Sequence, residues 1–371
     1  MPPKILLIGP IPPPIHGESM ALKSILDSEQ INNDIKIHVI NTSKNSIESA
    51  GKLNISKLLI DFFNVLKVFK WCLKNQKQII YISISQTKLG LMRDIVCILI
   101  GKIRKHAVIT HLHGNNLGNT IDSFPELIRK IVIRNAFKKI DCGIVLGKGL
   151  EENYRSYVKN VKVVSNGVKE NFIRDEEIFI NKSNDDNSFE IVYLSNLMKD
   201  KGYIELIKAV TELLDEGYRI TLSLAGAIQD SALFNDLMKK VKNKNYEESI
   251  RYLGIKKDQD KKKLLLESDV MILPTNYKIE GQPLSIIEGM AAGLPIISTK
   301  KGVIPQMIKN NGIILENLSV DNLKLAIMKI YKDPELRAQL SQNSRNTFKV
   351  KFTEKIYHNN LLEIFKSYYS K

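Results

Sequence analysis

Two carboxylates in the second half of the chain have the spacing of a ligand site. Glu280 and Glu288 lie eight positions apart and follow residues 270–274 (VMILP), an apolar run typical of a buried strand. Pro283 favours a helix start between them, because proline suits the first turn of a helix. Open α/β sheets bind ligands at the carboxyl ends of their strands, so the two acids are predicted to line a binding pocket.

The backbone between these acids suits an anion. A helix that begins near Pro283 would turn the N–H groups of residues 281–285 toward the same pocket, and Gly281, Gln282 and Leu284 lie in this segment. Carboxylates for hydroxyl groups and amides for a diphosphate together suggest a sugar nucleotide. The alternative is a surface loop whose acids only favour the start of a helix.

The composition is that of a globular chain. The 371 residues are 43% hydrophobic and 26% charged, enough for two domains with buried cores. No run of about 18 uncharged apolar residues is present, and the N-terminal sequence lacks the form of a signal peptide. Cys72, Cys97 and Cys142 lie in apolar surroundings without metal-ligand spacing, which indicates reduced core residues of a cytoplasmic protein.

Positive charge is concentrated in one part of the chain. The formal net charge is +15, and residues 51–150 hold 17 Lys and Arg against 5 Asp and Glu. This excess indicates an anionic partner, which could be nucleic acid, an anionic membrane surface or a phosphorylated substrate.

A basic helical face lies within this region. The pattern predicts a long helix over residues 53–78 that is apolar along one side. Lysines recur at helical spacing on another side, at Lys67, Lys70, Lys74 and Lys77. Such a helix suits a membrane surface, and the alternative is a packed helix with a solvated charged side.

Strand and helix patterns alternate in two successive series. Apolar runs at 4–8, 79–84 and 107–112 are predicted strands of the first series, and the second series begins at 189–194. The polar stretch 171–188 separates the two as a linker. Two βα series predict an α/β protein with two Rossmann-like domains.

Two further patterns could bind a metal, and both have simpler interpretations. His111 and His113 alternate and so point to one side of an extended chain, but no third ligand is spaced to join them. Asp258 and Asp260 precede a predicted helix, where acids serve as an N-cap and an acidic first turn. No metal and no other cofactor is therefore expected.

The run from Asp269 to Thr299 resembles the donor site of retaining family-4 glycosyltransferases, which have the GT-B fold. The family motif places seven residues between two glutamates, as between Glu280 and Glu288. The flanking positions that also agree are Asp269, Pro274, Gly281, Gly289, Gly293 and Pro295. This combination is far more specific than a lone glycine motif.

The resemblance implies roles for individual residues. Glu288 would bind the ribose hydroxyls, Glu280 would lie beside the sugar ring, and Lys201 would bind the diphosphate. Gly17 matches a glycine that lies against the diphosphate, and His113 matches a histidine next to the donor sugar. The expected catalytic residues are His113, Glu280 and Lys201, and the expected donor-binding residues are Gly17, Asn196, Lys201, Gly281, Gln282, Pro283, Leu284 and Glu288.

One position departs from the family pattern. The family has an arginine five residues before the lysine of its Lys-Gly element, whereas this chain has Asn196 before Lys201 and Gly202. Asparagine can donate a hydrogen bond to a phosphate but cannot form the bidentate ionic contact of an arginine. The chain therefore lacks one fixed positive charge that the family places at the phosphate.

The resemblance also implies a domain plan. An acceptor-side domain over 1–170 and a donor domain over 189–350 would face a central cleft, joined by the linker 171–188. A last helix within 351–371 would cross back to pack on the first domain.

The activity implied is that of a retaining, metal-independent glycosyltransferase. It would move a hexose or N-acetylhexosamine from a UDP- or GDP-sugar to a glycan or lipid-linked glycan in cell-surface polysaccharide synthesis. The expected location is the cytoplasm, with attachment to the inner face of the cell membrane.

Two other functions remain open. A nucleotide-sugar 2-epimerase has the same fold but needs acid–base pairs in both domains, and the first domain shows few. A nucleic-acid-binding protein would account for the positive charge of 51–150, but the aromatic interleaving and recognisable modules of such proteins are missing. Nucleic acid is therefore not an expected partner.

Overall fold

The computed structural model describes residues 3–43, 55–155, 157–181 and 188–369. The chain divides into two compact units: unit 1 comprises Met1–Asn166 with Glu354–Lys371, and unit 2 comprises Gly167–Thr353. Among the helices of the described residues, none combines the length and apolar content needed to cross a bilayer.

Unit 1 is built on a parallel sheet. Its strands in the described part of the chain are β1 (Lys4–Gly9), β2 (Lys36–Asn41), β3 (Ile79–Ser83), β4 (Ala107–Leu112), β5 (Cys142–Val145) and β6 (Val161–Val163). Their order is β2-β1-β3-β4-β5-β6, and every neighbouring pair is parallel. The central strands are mostly apolar, and every residue of β3 (IIYIS) is buried, because helices cover both faces of such a sheet.

Helices cover both faces of this sheet. They are α1 (Gly17–Asp27), α2 (Glu29–Asp34), α3 (Ile55–Lys74), α4 (Lys88–Ile103), α5 (Leu117–Asp122) and α6 (Arg134–Phe137), with a π-helical turn at Ile128–Ile133. α1 and α2 lead from β1 to β2 in one direction across the sheet, whereas α3 and α4 lead to β3 and β4 in the other. Since parallel crossovers are right-handed, the two groups of helices lie on opposite faces.

Unit 2 repeats this plan. Its strands among the described residues are β7 (Phe189–Leu194), β8 (Ile220–Ala225), β9 (Ile250–Tyr252), β10 (Val270–Leu273), β11 (Ile296–Thr299) and β12 (Gly312–Leu315), in the parallel order β12-β11-β10-β7-β8-β9. Its helices are α7 (Asp175–Asn181), α8 (Tyr203–Asp215), α9 (Ser231–Asn243), α10 (Asp258–Leu266), α11 (Leu284–Ala291), α12 (Ile304–Met307), α13 (Val320–Tyr331) and α14 (Pro334–Lys351).

The direction of winding reverses in the middle of the second sheet. β7 leads through α8 to β8 on one side, whereas its other neighbour, β10, leads through α11 to β11 on the opposite side. The loops after β7 and β10 therefore diverge at the carboxyl edge of the sheet and leave a crevice between them.

The last helix, α15 (Glu354–Tyr369), belongs to unit 1 although it follows α14 of unit 2. Tyr357, Leu361 and Phe365 are buried in the hydrophobic core of unit 1. Two doubly wound parallel units and a terminal helix that returns to the first unit agree with the predicted architecture.

Residues 171–188, predicted as a linker, contain α7. Glu177 of this helix forms an ion pair of 2.6 Å with Lys262 of α10, so this part of the segment packs on unit 2 rather than forming an irregular connection. Residues 182–187 lie outside the described residues.

The basic helix of unit 1 is shorter than its pattern predicts. α3 ends at Lys74, where the side-chain amide of Asn75 donates to the Trp71 carbonyl oxygen at 2.9 Å alongside the last helical bond, from the Asn75 N–H. Lys77 follows in a left-handed conformation with φ of 51°. The prediction that Lys77 continues the helical face of the other three lysines was therefore wrong.

Candidate functional site

The crevice at the ends of β7 and β10 holds an ion pair. Lys201 ends a 3-10 turn (Lys199–Lys201) that follows β7, and Glu280 lies in the loop after β10. Lys201 Nζ is 2.5 Å from Glu280 Oε2, and Glu280 is only 8% exposed. The same ammonium lies 5.1 Å from the centroid of the Tyr277 ring. The strand order thus brings together two of the predicted site residues that are 79 positions apart.

Glu280 is held through one carboxylate oxygen. Thr275 Oγ1 donates a hydrogen bond of 3.1 Å to Oε2, the oxygen that also receives Lys201. Oε1 has no hydrogen-bond partner among the described residues, so it can accept a hydroxyl hydrogen from a ligand. Lys201 has three N–H donors, which leaves it able to contact Glu280 and an anion together.

Glycines allow the loops around this pair to approach closely. Gly202 has φ of +76°, and a Cβ there would lie 2.2 Å from the Pro274 carbonyl oxygen. Gly302 has φ of +51°, and a Cβ there would lie 2.2 Å from the Gly281 carbonyl oxygen. That oxygen also accepts a 3.0 Å hydrogen bond from the Val303 N–H. Only glycine fits both the conformation and the space, so the loop after β10 is fixed by backbone contacts.

α11 begins beside the ion pair with an open N-terminus. Pro283 is its N-cap and Leu284 its first residue, so the proline precedes the first turn rather than lying within it. No side chain of the described residues caps the helix, and the N–H groups of Leu284, Ser285 and Ile286 are available to an anion. Gln282, the residue before Pro283, is buried and only 7% exposed.

Glu288 is held by a second lysine. It lies in the second turn of α11, and its Oε1 is 2.5 Å from Nζ of Lys261 on α10. Burial raises the pKa of the Glu288 carboxyl, and the Lys261 charge partly offsets that rise. Oε2 has no hydrogen-bond partner among the described residues. Like Glu280, Glu288 is fixed through one oxygen and can accept a ligand hydroxyl at the other.

The segment that carries both ion pairs matches a known family. Residues 174–347 match the model described as "Glycosyl transferases group 1", which spans the loop after β7, α10 and α11. Over these residues the chain is similar to the glycosyl transferases group 1 family.

Two curated relatives are similar to the chain over part of their length. The N-acetyl-alpha-D-glucosaminyl L-malate synthase of Bacillus anthracis is 27% identical over 258 residues, which are 67% of this chain and 65% of the relative. The capsular polysaccharide biosynthesis glycosyltransferase CapM of Staphylococcus aureus is 27% identical over 213 residues, 55% of this chain and 53% of CapM. The chain thus spans less than two thirds of the length of either relative.

A solved structure is similar over almost the whole chain. The crystal structure of Anabaena HepE in complex with UDP superposes with a TM-score of 0.75 at 17% identity, covering 98% of this chain and 100% of the HepE chain. At this identity the likeness concerns the fold, and it confirms the predicted GT-B fold.

Asn196 occupies an exposed position in the group 1 segment, in the loop after β7. Its Oδ1 accepts a 3.4 Å hydrogen bond from the Ala227 N–H, and its carbonyl oxygen accepts a 3.0 Å bond from the Tyr193 hydroxyl. The side-chain amide therefore keeps its N–H donors for a ligand, but it brings no positive charge.

The two histidines predicted to point to one side are stacked in unit 1. The ring centroids of His111, in β4, and His113, just after it, are 4.0 Å apart. His111 Nδ1 is hydrogen-bonded to the Tyr81 hydroxyl, whereas both ring nitrogens of His113 are shielded and without a partner among the described residues. Burial, with a smaller effect of His16, lowers the pKa of His113 to about 3. Its ring is therefore neutral at physiological pH, with one donor and one acceptor nitrogen.

Gly17 is the exposed first residue of α1 in unit 1. His16 is the N-cap: its Nδ1 accepts from the Ser19 N–H at 3.3 Å, while Ser19 Oγ accepts from the His16 N–H at 3.0 Å. This capping box fixes the start of the helix that follows β1.

Lys67, Lys70 and Lys74 lie exposed on α3 of unit 1, and Lys77 lies beyond its end. In the group 1 segment, Asp258 and Asp260 form the acidic first turn of α10, whose N-cap is Lys257 rather than an aspartate. Across the described residues, no three His, Cys, Asp or Glu side chains are grouped so as to hold a metal ion.

Lys261 and Thr275, the partners of the two glutamates, are not among the site residues predicted from the sequence. Lys261 stands in the first turn of α10, where the helix dipole disfavours a cation. A lysine at such a position signals a compensating acid, and Glu288 is that acid. Thr275 follows the strand β10 at the predicted ligand edge, so its location was a signal for it.

Proposed function

We propose that the protein is a retaining glycosyltransferase that takes a hexose or N-acetylhexosamine from a UDP- or GDP-sugar. The acceptor is a glycan or a lipid-linked glycan in cell-surface polysaccharide synthesis. The name of CapM and the UDP bound to HepE support this choice. The enzyme would act in the cytoplasm, at the inner face of the cell membrane.

One observation carries the proposal. The crevice between the loops after β7 and β10 combines two carboxylates, each with one oxygen that has no hydrogen-bond partner among the described residues. It also holds the start of α11, which no side chain of the described residues caps. Sugar and ribose hydroxyls need acceptors, and a diphosphate needs N–H donors and a cation. A nucleotide sugar offers all of these groups in one molecule.

Each residue then has a role in the reaction. Glu288 accepts from the ribose hydroxyls, and Glu280 accepts from a sugar hydroxyl. Lys201 and the first N–H groups of α11 stabilise the negative charge that grows on the diphosphate as the sugar–oxygen bond breaks. The acceptor hydroxyl attacks the same face of the sugar, and its proton passes to the leaving phosphate oxygen. Neutral His113 would hydrogen-bond the donor sugar.

Asn196 would donate to the diphosphate as a neutral group. Gly17, Gly281, Gln282, Pro283 and Leu284 would line the donor through their backbone. We propose that the reaction needs no metal, because the Lys201 ammonium and the amides of α11 supply the electrostatic stabilisation.

The test is incubation of the full chain with UDP-, GDP- and ADP-sugars, with and without EDTA. We expect release of one nucleoside diphosphate and of sugar that first appears in the anomeric configuration of the donor, at the same rate with EDTA. Sugar of the opposite configuration would contradict retention, and loss of rate restored by Mg²⁺ or Mn²⁺ would contradict metal independence. A nucleotide sugar changed at C2 would identify an epimerase instead.

A further inference from the structure

α3 of unit 1 exposes an apolar stripe to its surroundings. The stripe consists of Leu58, Phe62, Phe69 and Leu73, which are 46, 58, 44 and 51% exposed. Their spacing places them along one side of the helix. Val68 and Cys72, by contrast, are fully buried on another side, toward the sheet. Large apolar side chains exposed together mark an interaction surface.

Lysines border this stripe on the side away from the buried face. Lys67, Lys70 and Lys74 lie within a quarter turn of one another on α3 and are exposed. None of them forms an ion pair with a described residue. The helix therefore presents an apolar stripe beside a row of unneutralised ammonium groups.

The acids of α3 and α4 are withdrawn from the same surface. Asp61, the one acid in α3, and Asp94, the one acid in α4, both bind Arg93, at 3.1 and 2.8 Å. All three side chains are buried. This triad joins the two helices from inside and leaves their exposed faces free of carboxylates.

α4 extends the apolar surface. Leu89, Val96 and Ile103 recur at seven-residue intervals, so they form one line along the helix, and they are 40, 41 and 78% exposed. α4 packs directly against α3 in the layer that covers one face of the sheet. The outer side of this layer is therefore apolar and basic over two neighbouring helices.

We propose that the exposed faces of α3 and α4 dock unit 1 on an anionic lipid bilayer. Phe62, Phe69 and Leu73 would enter the boundary between headgroups and acyl chains, and the bordering lysines would contact lipid phosphates. This proposal concerns the surface of unit 1 and does not depend on the transfer reaction.

The chemistry of the surface favours a bilayer over other partners. Two copies that met through this face would bring like charges together without a carboxylate to neutralise them. A nucleic acid would satisfy the lysines but would leave the exposed phenylalanine and leucine side chains without an apolar partner. A bilayer with anionic headgroups matches both the apolar stripe and the charges.

The test is co-sedimentation of the full chain with vesicles, without donor or acceptor. The vesicles are an equal mixture of phosphatidylcholine and phosphatidylglycerol, compared with phosphatidylcholine alone, at low and at high ionic strength. We expect binding to the anionic vesicles that weakens with salt. Changing Lys67, Lys70 and Lys74 to Gln should weaken the partition by about 100-fold at low salt.

A second variant tests the apolar stripe. Phe62→Ser combined with Leu73→Ser should weaken binding by about tenfold or more, with less dependence on salt. Both residues are exposed, so the variant should keep its circular dichroism spectrum and melting temperature.

Matched controls lie on unit 2. Lys239, Lys242 and Lys329 are exposed and without a described ion pair, and changing all three to Gln removes the same charge. Leu325→Ser with Val350→Ser changes two side chains that are each 71% exposed. Both controls should bind vesicles as the wild type does.

Several results would overturn the proposal. The first is a wild type that does not bind anionic vesicles at low salt. The second is that the stripe and lysine variants bind as well as the wild type. The third is that the controls on unit 2 lose as much binding as the stripe and lysine variants do. Sedimentation equilibrium shows whether a second copy covers the face instead, since a dimer that Phe62→Ser with Leu73→Ser dissociates would also overturn it. Nucleotide affinity is measured separately on each variant and should be unchanged, so failure here leaves the transferase proposal untouched.

Discussion

Glu288 is paired with Lys261 through one oxygen and is open at the other, which suits a residue that binds a ribose. We predict that Glu288→Ala weakens the binding of the nucleotide sugar and of the free nucleoside diphosphate equally. The loss of binding free energy should be about 1–3 kcal/mol, as for a lost charged hydrogen bond. Isothermal titration with both ligands measures this. Glu247→Ala, an exposed acid before β9 at the other edge of the sheet, is the control and should change neither affinity. Unchanged affinity in folded Glu288→Ala would remove the ribose role.

His113 makes unit 1 sensitive to acid. Its pKa is about 3 in the folded chain because of burial, against about 6.5 when unfolded. Between these values the unfolded state binds the proton and the folded state does not, so stability falls as the pH drops below about 6.5. The loss of stability attributable to His113 approaches about 1.4 kcal/mol for each pH unit in that window.

The single tryptophan provides the measurement. Trp71 lies on α3, so its fluorescence during urea unfolding reports on unit 1. We predict that His113→Gln loses less stability than the wild type between pH 7 and about pH 5. His111, whose pKa is also lowered by burial, accounts for part of the remaining slope. Identical pH dependence in the two proteins would contradict the neutral buried state of His113.

At the scale of elements, the loop after β10 is positioned by a glycine contact. Gly302→Ala would place a Cβ 2.2 Å from the Gly281 carbonyl oxygen, in addition to the strain of a φ of +51°. We predict a lower melting temperature and weaker nucleotide binding, because the loop that carries Glu280 must shift.

Gly217→Ala separates the backbone strain of a positive φ from the collision of the added Cβ. Gly217 has φ of +86°, and a Cβ added there would meet no atom within 4 Å, so its variant carries the strain without the collision. Its free energy of unfolding should fall by about 1 kcal/mol or less, and its nucleotide binding should not change. If the two variants behave alike, the contact between the loops has no special part in the site.

The sequence predicts the elements that carry the site better than it predicts their partners. Glu280 and Glu288 are placed correctly after β10 and within α11, because a buried strand, a proline and a helix have strong local patterns. Their lysines come from elsewhere: 79 positions separate Lys201 from Glu280, and 27 separate Lys261 from Glu288. Such pairs depend on strand order and helix packing, which local patterns do not contain.

The same limit applies to α3. Its periodicity predicts an apolar side, but a packed face and an exposed face have the same period, and only the structure shows Phe62 and Leu73 exposed. Its end was also missed, since the side chain of Asn75 closes the helix before Lys77. Local hydrogen bonding by asparagine competes with helix continuation and is not visible in hydrophobic periodicity.

At the scale of the whole molecule, the chain completes unit 1 with its last helix. Phe365 of α15 is 1% exposed in the core of unit 1, and Phe348 of α14 is 1% exposed in unit 2. We predict that Phe365→Ala destabilises unit 1 by about 3–5 kcal/mol, the usual range for a buried phenylalanine.

Trp71 fluorescence should therefore show earlier unfolding in Phe365→Ala. Phe348→Ala is the matched control. It should leave the midpoint of the Trp71 transition unchanged and should lower the temperature at which nucleotide binding is lost. A Trp71 transition that moves equally in both variants would contradict the division into two units with separate cores.

The central claim is that the crevice of unit 2 binds the diphosphate of a nucleotide sugar through Lys201. The most direct measurement is the affinity of UDP and GDP for the wild type, Lys201→Met and Lys199→Met. Lys199 lies in the same 3-10 turn but is exposed, so it controls for the loss of one positive charge from the loop. We predict that Lys201→Met lowers the affinity for the preferred nucleotide by about 10- to 100-fold, whereas Lys199→Met leaves that affinity nearly unchanged. Equal affinity in all three proteins, or no binding of either nucleotide by the wild type, would contradict the claim.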